Sequence, residues 1–162
     1  MKFRFLLWLN ALVFCAYLAG NLFDVFYLVP NWQSGAIEEI QLFNAFFHRT
    51  NPMDFYRVIM PLSTGLSVLC LLVFFNRGNP ILILLTISLL IDVGIDAVTL
   101  HYFIPMTEYL SLEKGGELNP QQVNEYVKSW ITADYLRIGL IMIGVYAAVS
   151  AVHFSYREKV RG

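Results

Sequence analysis

Apolar residues in this chain fall into four long blocks separated by polar stretches, at about residues 4–29, 54–75, 81–104 and 130–154. A helix rises ~1.5 Å per residue, so each block is long enough to cross a hydrocarbon core of ~30 Å. Helices are required there, because lipid offers no partner to an unpaired backbone N–H or C=O. The connections predict antiparallel neighbours. The chain therefore reads as all-α: one membrane domain, residues 1–162, folded as a polytopic four-helix up-down-up-down bundle.

The segments between blocks carry their own signals. Residues 30–53 and 105–129 form the two long connections on one side of the membrane. In the first, Ser34 is a candidate N-cap, and Ala36, Ile40, Phe43 and Phe47 share one face at spacings of 4, 3 and 4. That pattern predicts a short amphipathic helix on the membrane surface or over the bundle. Pro30 closes the first block and Pro105 the third. Asn51-Pro52 starts the second, and Pro61 two turns further in predicts a kink. Residues 76–80, Asn-Arg-Gly-Asn-Pro, read as a tight turn. Asn119-Pro120-Gln121-Gln122 combines a cap, a first-turn proline and a capping-box glutamine. Val123, Tyr126, Val127 and Trp130 continue the helical period, predicting one long helix from residue 120 to about 155.

Composition agrees with this reading. The chain is 57% hydrophobic and 14% charged, against roughly 45–50% and 25% for a soluble domain. The formal net charge of −1 gives no case for nucleic acid as a partner. Lys2 and Arg4 ahead of an apolar run resemble a signal peptide. The run is longer than a signal core and lacks small residues at a cleavage position, which predicts a retained helix. Cys15 and Cys70 read as small core residues, with a disulfide as the alternative. Gly65 with Ser67, and Gly144 with Ala147 and Ala148, suit close helix contact. Lys2, Arg4, Arg77, Arg157, Lys159 and Arg161 fall on one side of the bundle, and Arg49, Arg57, Lys114 and Lys128 on the other. The excess of basic residues places both termini in the cytoplasm, as expected of a multi-pass protein of a bacterial plasma membrane. Tyr102, Trp32, Trp130, Tyr56 and Tyr135 on the outer side, with Trp8 and Tyr156 on the inner, read as interfacial belt residues.

Candidate chemistry lies in the polar residues inside the blocks. These are Asn21 and Asp24 in the first, Asp92, Asp96, Thr99 and His101 in the third, and Asp134 and Arg137 in the fourth. Arg57 stands near the outer end of the second. Counting ~1.5 Å per residue, Asp24 lies ~7–9 Å below the outer surface, Asp96 ~12 Å, Asp134 ~6 Å and Arg137 ~10 Å. Ionisable groups from different helices thus converge in the outer half. Asp92, Asp96 and Thr99 share one face of their helix, whereas His101 stands ~140° round from Asp96. Two readings stay open. In one, Asp24, Asp96, Asp134 and Arg137 form a reactive or ligand-holding pocket, lined further by Asn21, Arg57, Asp92, Thr99, His101, Trp130, Tyr135 and His48. In the other, Arg137 and Arg57 pair with the acids only to lock the helices together. Asp and His suit iron, copper or zinc, yet no spacing matches a known metal motif. The sequence specifies no cofactor and leaves the oligomeric state open. The expected partners are membrane lipids and a lipophilic small molecule.

Four short patterns carry a family resemblance: Gly20, Phe23, Phe26, Pro30 and Trp32; Asn51-Pro52 with Phe55 and Pro61; Thr99 with Tyr102-Phe103-Ile104-Pro105; and Trp130 followed by Arg137. Through them the chain resembles the anthrone oxygenase-like family of small four-helix membrane proteins, many without an assigned function. This chain has Asp134 where the family leads one to expect asparagine. For some fungal members the family name implies oxygenation of polycyclic aromatic anthrones. Family membership alone does not carry that chemistry to this chain. The expectation is an oxygenase- or oxidoreductase-like enzyme acting on a lipophilic aromatic or quinone-like molecule. The alternative is a non-catalytic ligand-binding or structural/accessory membrane protein, whose ion pairs only fix helix packing.

Overall fold

The computed structural model describes residues 3–49, 51–76, 79–110 and 119–160, with residues 79 and 158–160 described by backbone alone. Its helices are α1 (Arg4–Phe23), α2 (Ile37–Phe46), α3 (Pro52–Phe74), α4 (Asn79–Val98), α5 (Ile104–Leu110) and α6 (Pro120–Val160). No strand occurs among the described residues. Four helical stretches, Arg4–Asn31, Pro52–Phe74, Pro80–Leu110 and Pro120–Arg157, are long and apolar enough to cross a membrane. The protein is a multi-pass integral membrane protein. α1 packs against α3 and α6, and α4 packs against the same two. The ring order is therefore α1-α3-α4-α6, with sequence neighbours side by side and alternating in direction.

The two ends of the bundle differ. At the terminal end the start of α1 meets the end of α6: Arg4 Nη2 donates to the Ser155 carbonyl at 2.5 Å, and its guanidinium lies 4.4 Å from the Tyr156 ring centre. A largely apolar layer fills this end, including Leu7, Phe14, Phe74, Ile81 and Leu85, with Asn10 and Ser155 buried among its helices. Gly144 on α6 allows its closest helix contact, because a Cβ there would run into the ring of Phe14. Gly65 faces open space instead, so the small-residue reading holds for Gly144 and not for Gly65. A middle layer holds Tyr17, Ile59, Leu66, Ile95 and Ile141. At the opposite, loop end, α2 lies across the bundle. Its Ile40 packs with Val29, Trp32, Leu110, Val123 and Val127, as the amphipathic pattern predicts.

Several local expectations need correction. Ser34 does not cap α2. Its hydroxyl accepts from Ala36 N–H at 3.0 Å and donates to Glu39 at 2.5 Å, and the chain then turns at Gly35, φ 75°. The N-cap is Ala36, with no side-chain bond. Asn51 does cap α3, through a complete capping box with Asp54. At α6 the box is only half formed. Asn119 Oδ1 accepts from Gln121 N–H at 3.0 Å, while the Gln122 side chain bonds Tyr109 and Tyr126. Cys15 is exposed on the outside of the bundle and Cys70 is buried, both as free thiols. Trp32 and Tyr56 are not belt residues, being only 8% and 4% exposed. Trp8, Tyr102, Tyr135 and Tyr156 do face outward. Lys2, Arg77, Lys114, Arg161 and most of the turn at 76–80 lie outside the described residues or their side chains.

Pro30 closes the first helical stretch to within one residue, at Asn31, whereas Pro105 does not end the third, which runs on to Leu110. Each follows a π-helical turn, Asp24–Leu28 or Thr99–Phe103, in which the N–H just before the proline reaches back five residues: Val29 to Asp24 C=O and Ile104 to Thr99 C=O. Proline lacks an N–H and its ring crowds the carbonyl four residues back, so the preceding turn widens by one residue. Pro30 then sits in a short 3₁₀ turn, Val29–Asn31, and Pro105 in the first turn of α5, where a missing N–H costs nothing. Both widened turns begin on a buried polar residue that faces the interior.

Candidate ligand-binding site at the loop end

Asp24 opens the π turn of the first span and points into the bundle, 7% exposed. Across the α1–α3 contact the buried Tyr56 hydroxyl donates to Asp24 Oδ2. Tyr56 is held by the capped start of α3 and by a tilted ring contact with Tyr17, ring centres 6.1 Å apart. On the opposite side Arg137, 5% exposed, projects from α6 and donates from Nη2 to Asp134 Oδ1 one turn back. Its guanidinium lies 4.2 Å from the Phe103 ring centre, 5.2 Å from that of Tyr56 and 6.0 Å from that of Trp130. A desolvated guanidinium against aromatic faces gains ~2 kcal/mol. This aromatic cage and Asp134 together explain a buried arginine at membrane depth. Arg137 Nε and Asp134 Oδ2 are buried with no hydrogen-bond partner.

Asp24, Tyr56 and Arg137 form the floor of a cavity of about 90 Å³ between the spans and α2. Trp32, Ile40, Phe43, Phe103, Leu110 and Trp130 wall it, and Trp32 meets Trp130 edge-on at 5.1 Å. Apolar, aromatic walls with a few convergent polar groups are the usual make-up of a small-molecule site.

A second, larger cavity of about 650 Å³ opens between α3 and the α4–α5 stretch. Asp96 and Thr99 line its inner wall, while Arg57, Arg49 and His48 line its rim. Tyr56, Met53 and Asn51 border both cavities. Asp96 Oδ2 accepts from Thr64 Oγ1 at 2.7 Å, leaving Oδ1 buried and unpartnered. The Thr99 and Tyr17 hydroxyls are likewise buried; they neighbour one another and have no other hydrogen-bond partner. His48 bonds through Nδ1 with the Ala45 carbonyl at 3.0 Å, which sets its ring at the end of α2.

One turn deeper, Asp92 accepts from Ser63 at 2.8 Å and from Ser67 at 2.6 Å, and Ser67 Oγ lies 3.2 Å from Asn10 Oδ1. All four of these side chains are essentially buried. The acids of α4 are thus matched by a hydroxyl row on α3, which joins the two helices.

The predicted residues therefore separate into groups. Asp24, Arg137 and Trp130 share the first cavity, with Asp134 behind Arg137. Asp96, Thr99, Arg57 and His48 share the second. Asp92 and Asn21 line neither; Asn21 Nδ2 bonds the Tyr17 carbonyl of its own helix at 2.9 Å. His101 faces a groove on the far side of α4 with Tyr102 and Lys128. Tyr135, 59% exposed, points away from the bundle. The ion pairs of the arginines do not bridge helices: Arg137 pairs with Asp134 and the exposed Arg57 with Asp54 at 3.1 Å, each one turn along its own helix. Arg137 reaches other helices only through its aromatic contacts. Helix locking by these ion pairs is thereby replaced by Tyr56–Asp24 and the hydroxyl row. No cluster of three or more His, Cys, Asp or Glu side chains suited to a metal occurs among the described residues.

Tyr17, Tyr56, Ser63, Thr64, Ser67 and Phe103 are the interior groups that the sequence pattern did not single out for the site. A signal existed for the π turns. Asp24-Val-Phe-Tyr-Leu-Val-Pro30 and Thr99-Leu-His-Tyr-Phe-Ile-Pro105 share a polar residue six before proline and a tyrosine three before it. For the serines of α3, spacing against Asp92 and Asp96 was the only clue.

No protein-family model matches this chain, no curated protein is similar to it, and no solved structure matches it.

Proposed function

We propose that the aromatic cavity receives the oxygen-bearing edge of a lipophilic aromatic ketone or quinone-like molecule that enters from the outer leaflet. Arg137 holds the oxygen, and the rest of the molecule extends beyond the cavity's own volume of about 90 Å³. The observation that carries this reading is the Arg137 guanidinium, caged by three rings and bordering an apolar cavity, with Nε left without a partner. A charged donor in a dry cavity binds a developing oxyanion far better than water-exposed arginine does. Tyr56 and Asp24 stand beside it as the proton-handling pair.

The resemblance to the anthrone oxygenase-like family supports an oxidative outcome. In that reading Asp24 takes a proton from the methylene carbon of an anthrone, and Arg137 stabilises the enolate oxygen. The enolate carbon gives its electron pair to dioxygen, and loss of water from the hydroperoxide leaves the quinone. One dioxygen is consumed and one water released per ketone. Both termini are cytoplasmic in this reading, and the membrane is a bacterial plasma membrane. A non-catalytic binding protein is the second reading, favoured by Tyr56 already occupying a carboxylate oxygen of Asp24.

The test is titration of the purified protein in lipid nanodiscs with anthrone, followed by the absorbance of its enolate and by Trp32 and Trp130 fluorescence. Quenching together with enolate absorbance supports the enzyme reading, and quenching alone supports the binder. Quenching unchanged in Arg137→Met overturns the assignment of the cavity.

A further inference from the structure

We infer that the larger lateral cavity is a separate site for the positively charged head of a lipophilic amine, with Asp96 as its counter-ion and Thr99 as a second hydrogen-bond partner. The inference rests on what surrounds Asp96. Oδ2 is satisfied by Thr64, but Oδ1 is buried with no partner, and on the same helix face the Thr99 hydroxyl, 1% exposed, has only the neighbouring Tyr17 hydroxyl beside it. Both residues line the cavity. Two unfilled polar positions on the inner wall of a cavity mark where a ligand's donors fit, since buried polar atoms are rarely left unpaired.

The sign of the ligand follows from the neighbours. Asp92 stands one turn along the same helix and is bonded only by serine hydroxyls. Arg137 is committed to Asp134 and its aromatic cage across the bundle, and Arg57 pairs with Asp54 at the exposed rim. Arg49 and His48 stand with Arg57 at the rim and none of them bonds Asp96, whose one bonded partner is Thr64, so an ammonium supplies both the charge and the donors the inner wall lacks. Apolar contacts come from Met60, Pro61, Leu100 and Ile104, which make room for the hydrocarbon part of an amphiphile. The volume, about 650 Å³, suits a drug-sized molecule. Tyr56 stands between this site and the Arg137 cavity, so one end of the bundle presents an anion-holding and a cation-holding site side by side.

The experiment compares dansylcadaverine, which carries a primary ammonium, with its N-acetyl derivative, which is neutral, by dansyl fluorescence against protein in zwitterionic nanodiscs with empty nanodiscs subtracted. The ammonium form is expected to bind about tenfold tighter or better. Asp96→Asn should abolish that preference, Thr99→Val should reduce it, and Arg137→Met should leave it unchanged. Equal binding of the two probes by the unmodified protein overturns the proposal. So does a preference that survives Asp96→Asn. If Asp96→Asn does not fold, Thr99→Val decides, and an undiminished preference there overturns the assignment. Loss of the preference in an Arg137→Met protein that keeps the parent's thermal midpoint also overturns it, by showing a single shared site.

Discussion

Tyr56 gives its hydroxyl hydrogen to Asp24 across the contact between the first two spans. That one bond ties the widened turn of the first span to the capped start of the second. It also sets the wall between the two cavities, since Tyr56 borders both. Tyr56→Phe keeps the ring and removes the donor, leaving a buried carboxylate oxygen unpaired. The expected loss is ~1–3 kcal/mol of stability, read as a lower thermal midpoint in detergent. Asp24→Asn retains an acceptor for Tyr56 and should cost less than Tyr56→Phe. The reverse order would mean that the bond contributes little.

The hydroxyl row of α3 makes a second prediction. Replacing both Ser63 and Ser67 by alanine removes the two donors that Asp92 accepts from. Destabilisation of ~2 kcal/mol or more is expected. In an Asp92→Leu background the same pair of substitutions should be nearly neutral, because the partner that needs the donors is gone. A double-mutant cycle on chemical unfolding measures this coupling, and additive effects would remove the row from the account of how α3 and α4 are joined.

Arginine and lysine should not be equivalent at position 137. The planar guanidinium lies against Phe103 and bonds Asp134 at the same time, a geometry an ammonium cannot reproduce. Arg137→Lys should lower the thermal midpoint even though the charge is kept. Phe103→Leu should lower it as well, by ~1–2 kcal/mol of lost ring contact. A lysine variant as stable as the parent would show that the aromatic cage is incidental.

Glycine positions offer a paired control. Gly144→Ala drives a methyl group into Phe14 and should destabilise by ~1–3 kcal/mol. Adding Phe14→Leu, which withdraws the ring, should recover part of that loss. Gly65→Ala meets open space and should be neutral or stabilising by up to ~1 kcal/mol, the helix-propensity gain. Thermal midpoints of the three proteins decide it, and equal loss at Gly65 and Gly144 would contradict the packing described.

Spans, ring of helices and the α2 roof were legible from hydropathy and period, because lipid forces helices and loop lengths force neighbours. Convergence of Asp24, Asp96 and Arg137 on the loop end was also legible, since depth follows from counting residues. Partner choice was not. A count along each helix gives depth without rotation between helices, so it could not say that Asp24 meets Tyr56 rather than Arg137, or that Asp96 meets Thr64. It also treated Tyr56 and Trp32 as interfacial, because depth alone does not tell an inward ring from an outward one. Pro105 misled for a related reason: it read as a stop, while the helix runs on to Leu110 past a wider turn; Pro30 did mark the end of the first span, at Asn31.

Those widened turns make the orientation of everything beyond them a matter of arithmetic. An extra residue taken into an ordinary helix would rotate the chain beyond it by ~100°, whereas the π turn Asp24–Leu28 takes one up within a single wider turn. Trp32 thereby keeps its place against Trp130, and α2 stays over the floor of Asp24, Tyr56 and Arg137. Single-residue length changes upstream of a proline can therefore be absorbed in one turn of this architecture, with the roof left in place over the groups that form the cavity's floor.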